Sequence, residues 1–136
     1  MSMFNILDIS ATAMHAQTVR LNTVASNMAN VDSISSNAED TYRSKQPVFQ
    51  TILEGSKNEP RGGVRVKEIV ESQEPLKMEF SPNHPMANEE GYIFRPNVNV
   101  VEEMANMMSA SRSYETNIEV MNTSKQLLLR TIQLGK

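Results

Sequence analysis

At 136 residues the chain has room for one domain, or a small domain with long extensions, and not for two large independent cores. Apolar residues are 39% and charged residues 21% of it, both under the usual share of roughly 45–50% and about 25%, so Asn, Ser, Thr and Gln take up the remainder. A net charge of −3 without a Lys/Arg cluster argues against nucleic-acid binding, and the lack of cysteine removes disulfides, thiol catalysis and zinc–thiolate sites together.

The opening MSMFNILDISATAMHAQ has no basic n-region and places Asn5 and Asp8 where a secretory h-region is purely apolar, so no cleaved Sec-type signal peptide is expected. Through residues 1–31, Phe4, Leu7, Ala11, Met14, Leu21, Ala25 and Met28 recur at alternating spacings of three and four, with Thr18 the polar exception. This spacing predicts an N-terminal helix with a coiled-coil type of seam. Its formal charges are Asp8 and Arg20 alone, whereas a solvated amphipathic helix lines its outer face with ions. An outer face of Asn, Ser, Thr and Gln can lie against protein without the desolvation cost of unpaired charge. The expectation is a helix surrounded by neighbours in its working state, its seven apolar residues forming the N-terminal assembly seam.

Residues 32–41 follow as a polar connector of short side chains, expected to be mobile. All six prolines and four of the five glycines then fall between residues 47 and 96, which predicts a small β-rich unit over 42–96. Strands are expected at Val64, Val66 and Ile69-Val70 after a Gly62-Gly63 turn, from Leu76 to Phe80, and from Tyr92 to Arg95. Ser81 to Pro85 reads as a rigid loop.

Residues 97–136 make the second helix. Val100, Met104, Met107, Tyr114, Ile118, Met121, Leu128 and Ile132 repeat the heptad spacing, interrupted by Ser111 and Lys125, and define the C-terminal assembly seam. Pro96 lies just upstream, Asn99 is the expected N-cap, and Glu102 stands where the second half of a capping box belongs. Glu102 and Glu103 at the start, with Arg130 and Lys136 at the end, suit the helix dipole. From Asn99 to Leu134 the helix measures about 54 Å, longer than a globule of this size needs. The fold class is mainly α: long terminal helices in a coiled-coil-like bundle, with a small β-rich middle unit. An antiparallel helical hairpin inside a lone domain shows the same heptads; the charge-poor first helix and the length of the second favour assembly.

Catalytic chemistry is missing. No phosphate-cradling glycine loop, nucleophile elbow or pair of histidines on one helical face occurs. His15 flanks a seam position, His84 sits in a proline loop, and Glu89-Glu90 and Glu102-Glu103 are adjacent carboxylates that do not face each other. The Met104, Met107, Met108 and Met121 stripe reads as packing, since thioethers favour copper(I) and no His or Cys accompanies them. No enzyme activity, cofactor or metal is expected. The longest aliphatic run, Leu127 to Leu129, is far short of the roughly 20 residues that span a bilayer.

Several segments together resemble the flagellar basal-body rod proteins, the proximal-rod branch of the flagellar axial family. They are Gly91-Tyr92, Arg95 to Asn99, Val101 to Met104, Ser109 to Glu115, Asn117 to Val120, Asn122, Lys125 and Thr131 to Gly135. Tyr42 to Phe49, Gly63-Val64 and Ser81 to Pro85 resemble that family in order and spacing, so the likeness covers nearly the whole chain. The Ala-Asn-x-x-Thr-x-Gly-aromatic motif of axial proteins is degenerate here: Ala29-Asn30 fit, Ser33 replaces Thr, and Ser35-Ser36 replace Gly-aromatic. That departure argues against the distal-rod and hook relatives. The resemblance implies a structural subunit of the periplasmic rod, exported by the flagellar type III apparatus and assembled on the membrane ring of the basal body. It further implies self-association in a helical assembly, with FlgB, FlgF, FlgG and the rod-base protein FliE as neighbours. A reading of another class is a self-contained coiled-coil adaptor or secretion chaperone in the cytoplasm.

Overall fold

The computed structural model describes residues 3–54 and 61–135. In chain order its elements are α1 (Met3–Ala29), β1 (Lys45–Glu54), β2 (Arg61–Glu71), β3 (Lys77–Phe80), β4 (Tyr92–Arg95) and α2 (Val100–Leu134). Two helices and short antiparallel strands between them make the chain mainly α with a β middle.

α1 runs 27 residues without Gly or Pro. It tightens as it ends: Asn30 N is 3.2 Å from both Ser26 O and Asn27 O, and Asn30 Nδ2 donates to Ser26 O at 2.8 Å, so the side chain gives that last-turn carbonyl a second donor. α2 starts where Asn99, in extended backbone, accepts a hydrogen bond from Val101 N on its side-chain oxygen at 3.2 Å. The two helices pack against each other, with Asn27 reaching Glu103 and Arg20 reaching Asn106, so they run antiparallel. At about 1.5 Å per residue, 27 residues of α1 cannot cover 35 of α2. The far end of α2 therefore overhangs.

The strands form two separate two-stranded antiparallel sheets, β1–β2 and β3–β4. β1 was not expected as a strand, because Gln46, Pro47, Gln50 and Thr51 mask any alternation of apolar residues. In a two-stranded ribbon every strand is an edge, which is where proline is tolerated, and Pro47 pairs with Ile69. A bulge between Val48 and Phe49 shifts the register. Gly62 and Gly63, read from the sequence as a turn, lie inside β2 instead. A Cβ on Gly63 would meet Thr12 Oγ1 at 3.4 Å, an ordinary contact, and Val64 N donates to that oxygen at 3.3 Å, so the ribbon lies directly on α1.

β3 and β4 begin within a residue of their expected positions. Arg95 Nε lies 2.9 Å from Glu79 Oε2 across them, and Phe80 meets Tyr92 edge to face at 5.2 Å. The intervening loop turns tightly: Asn88 Oδ1 accepts from Glu90 N and Tyr92 N, and Gly91 has φ 82°. The connector expected to be mobile is held. Ser35 pairs with Phe94 through both backbone bonds, at 3.1 and 3.0 Å, and Ser36 Oγ donates to Met86 O.

The core is thin. Its buried apolar side chains include Ala16, Val24, Ile93, Val98 and Ala110, while Ser10, Thr23, Asn27, Thr41, Ser44, Asn97, Glu103 and Ser124 are buried and polar. Small residues let the helix backbones approach, and the buried polar groups must then find partners.

Candidate assembly surfaces

Hydrogen bonds gather where α1 ends, β1 begins and α2 starts. The Asn27 side chain acts as a strand partner for Lys45: its Nδ2 donates to Lys45 O at 2.8 Å, and its Oδ1 accepts from Lys45 N at 2.9 Å. The same Oδ1 accepts from Tyr42 OH at 2.8 Å, and Nδ2 also donates to Glu103 Oε1 at 2.9 Å. Ser44 N donates to Asn97 Oδ1 at 2.8 Å, and Asn97 Nδ2 donates to Glu74 O at 3.0 Å. One cluster thus fixes the angle at which both helices leave the β region.

Glu103 is the charged member of that cluster and is only 5% exposed. Its Oε1 is bound, but its Oε2 is buried with no hydrogen-bond partner. Burial pushes its carboxyl above the usual value of 4.5; the hydrogen bonds from Asn27 and Ser44 oppose this, the Glu102 charge adds to it, and Arg20 works against it. Beside it lies a cavity of about 390 Å³ between α1, α2 and β1, lined among others by Arg20, Val24, Lys45, Phe49, Glu102 and Glu103.

Along α2 the face turned toward α1 is a heptad stripe of buried and half-buried residues: Glu103, Met107, Ala110, Tyr114, Asn117, Met121, Ser124 and Leu128. Met107, Tyr114, Met121 and Leu128 belong to the C-terminal seam read from the sequence. The intervening positions of that seam fall one residue away, on a neighbouring stripe. Val100, Met104, Ile118 and Ile132 are exposed, Ile118 at 37% and Ile132 at 58%. Val101, Met108, Val120, Leu127, Leu129 and Leu134 are also exposed. α1 shows the same division: Leu7, Met14, Leu21 and Met28 are half-buried, while Phe4, Ala11 and Ala25 are exposed. From Leu129 to Gly135 every residue of α2 and its end is exposed.

His15 is exposed on α1, and half-buried His84 accepts from Met86 N on its Nδ1 at 3.1 Å, closing its own loop. Glu89 and Glu90 are exposed. Among the described residues no group of three metal-ligating side chains comes together, and no helix is long and apolar enough to cross a membrane. The Asn27–Ser44–Glu103 cluster escaped the sequence reading. Asn27 and Glu103 are 76 positions apart, and Glu103 was accounted for as a first-turn acid suited to the helix dipole.

Comparison with known proteins gives two family matches, "Flagella basal body rod protein" over residues 7–33 and "Flagellar basal body rod FlgEFG protein C-terminal" over residues 89–134. These are the two helical ends, and the second reaches back over β4. Among curated proteins, the "Flagellar basal-body rod protein FlgC" of Salmonella typhimurium is 48% identical over 136 residues, covering all of both chains. That of Escherichia coli O157:H7 is 47% identical over the same full span. The Aquifex aeolicus protein of that name is 40% identical over 136 residues, all of this chain and 99% of the relative.

Proposed function

Because this chain belongs to the FlgC family of flagellar basal-body rod proteins, and is thereby a structural subunit of that rod, we propose that it builds the proximal rod through its terminal helices, arranged as a coiled-coil-like bundle around the export channel. The single observation that carries this is the double face of α2. One heptad stripe is used up against α1, and a second apolar stripe, with Val100, Met104, Ile118 and Ile132, is left facing outward on a helix that overruns its partner. A lone hairpin has no use for a second stripe; a shaft of interlocked subunits does, because each added copy covers apolar area that water otherwise surrounds. Long side-by-side helices also resist shear, since many contacts must break together under torque.

On this reading the chain is exported by the flagellar type III apparatus. It stands in the periplasm on the membrane ring, next to FliE, FlgB, FlgF and FlgG. Of the two seams, Phe4, Ala11 and Ala25 on α1 and Val100, Met104, Ile118 and Ile132 on α2 are the exposed members left to meet other subunits, while Leu7, Met14, Leu21, Met28, Met107, Tyr114, Met121 and Leu128 are half-buried within the chain, and the work is structural rather than enzymatic. The test is location: a tagged chain that restores swimming to a strain lacking its own copy, and that co-purifies with detergent-extracted basal bodies, supports the assignment. A chain found only in the cytoplasm as a compact dimer would make it an adaptor instead.

A further inference from the structure

We propose that Met104 and Met108 form an oxidation site that gates assembly: converting their thioethers to sulfoxides bars the free chain from the rod, and reducing them back readmits it. This rests on the rod reading above and names a modification that regulates the outward stripe of α2.

The sequence has ten methionines and neither cysteine nor tryptophan, so thioether sulfur is what a peroxide-class oxidant meets first in this chain. Burial then sorts the sulfurs. Of the four methionines of α2, Met107 and Met121 are half-buried on the stripe facing α1, while Met104 is 50% and Met108 59% exposed. Those two stand one turn apart on one side of the helix, and exposed Val100 lies a turn before Met104. Met78, on β3, and Met86, in the loop after it, are exposed as well, but they lie off the α2 stripe, and their oxidation leaves that stripe apolar.

Hydrogen peroxide suffices for the step. The thioether sulfur gives two electrons to the peroxide, whose O–O bond breaks; one oxygen ends on sulfur as S=O, and the other leaves with both hydrogens as water. Two thiols reverse it, becoming a disulfide and releasing the sulfoxide oxygen as water, so the site is a switch rather than a lesion. The product puts a strong hydrogen-bond acceptor on a side chain that was flexible and apolar. In the free chain water satisfies that oxygen at both positions, and the fold is undisturbed. Once another subunit covers the stripe, beside Val100 and Ile118, the same oxygen is buried without a donor, which opposes docking.

Purified full-length chain, treated with limiting hydrogen peroxide and mapped by tandem mass spectrometry, is expected to gain oxygen at Met104 and Met108 several-fold faster than at Met107 and Met121 of the same helix. Equal rates overturn the site. In cells, Met104→Gln with Met108→Gln sets a polar amide where the sulfoxide forms. This pair is expected to lose at least several-fold in completed rods with the melting temperature of the isolated chain unchanged, whereas Met104→Leu with Met108→Leu keeps rods at the parent level. Completed rods at that level in the Gln pair overturn the gate, and so does an equal loss in the Leu pair, since shape rather than polarity is then at fault. A measurement without substitutions uses cells given a peroxide pulse during rod synthesis. Sulfoxide at the two positions is expected to be several-fold rarer in chain from basal bodies than in the unassembled chain of the same cells, and equal proportions overturn the proposal. If the untreated parent chain is absent from basal bodies, the rod reading has failed first.

Discussion

Glu103 is the buried charged residue where α2 meets α1 and the β region. Its carboxyl keeps its proton to higher pH in the folded chain than in the unfolded one, because burial disfavours the ion. The unfolded state then binds fewer protons over that interval, so stability is full below the unfolded value of about 4.5, falls as pH rises from there through the folded value, and is level above it. Glu103→Gln removes the ionisation while keeping an oxygen for the Asn27 amide. Thermal melts of the monomer from pH 4 to 8 should show a flatter profile for this variant and a higher melting temperature at pH 7; an unchanged profile would mean that Glu103 ionises in the fold as freely as in water. Asn27→Ala acts oppositely. It strips bonds from Lys45 N, Lys45 O, Tyr42 and Glu103 at once, and with each buried orphan costing about 1–3 kcal/mol, a loss of roughly 3 kcal/mol in urea unfolding is expected.

At the scale of the element, the two stripes of α2 differ by a single position, and that decides what a mutation reports. The sequence reading put Ile118 on the seam and Asn117 off it. In the fold Asn117 is half-buried on the stripe facing α1, with its Nδ2 bonded to Ser113 O at 2.7 Å, and Ile118 is on the outward stripe. Ile118→Glu should therefore leave the isolated chain within about 0.5 kcal/mol of the parent, as surface changes do, while abolishing swimming and completed rods. Asn117→Glu should lower the stability of the chain itself by about 1 kcal/mol, and so serves as the folding control. Normal rods in Ile118→Glu cells would remove the outward stripe from the assembly argument. In the β region, Gly91 has φ 82° and an added Cβ would lie 3.0 Å from the Phe80 ring, so Gly91→Ala should cost roughly 1–2 kcal/mol and disturb the β3–β4 turn. Amide exchange across Lys77–Phe80 and Tyr92–Arg95 reads this directly.

The whole molecule is a helical hairpin left unfinished at one end. Leu134 is 89% exposed and Ile132 58%, so stopping the chain after Arg130 removes apolar surface that the monomer does not bury. Melting temperature should be unchanged within error and rod assembly lost; a large drop in stability would show that the end packs back on its own chain. What the sequence by itself determined are the features with local causes. The helices follow from long stretches free of Gly and Pro, the α2 start from Asn99, and β3 and β4 from short apolar runs between turn residues. Family membership was also readable, because it rests on residues near one another in the chain. Tertiary structure alone decided the rest. β1 forms because the ribbon lies on α1, which no alternation in its own residues announces. Gly62 and Gly63 lie in a strand rather than a turn because β2 packs on α1, whose Ile9 and Thr12 stand about fifty positions earlier. Heptad spacing reveals that α2 has a seam but not which of two adjacent stripes its own α1 covers, because stripes one residue apart are nearly equally apolar. The Asn27–Glu103 bond, made across 76 positions, sets that choice by fixing the rotation of one helix against the other.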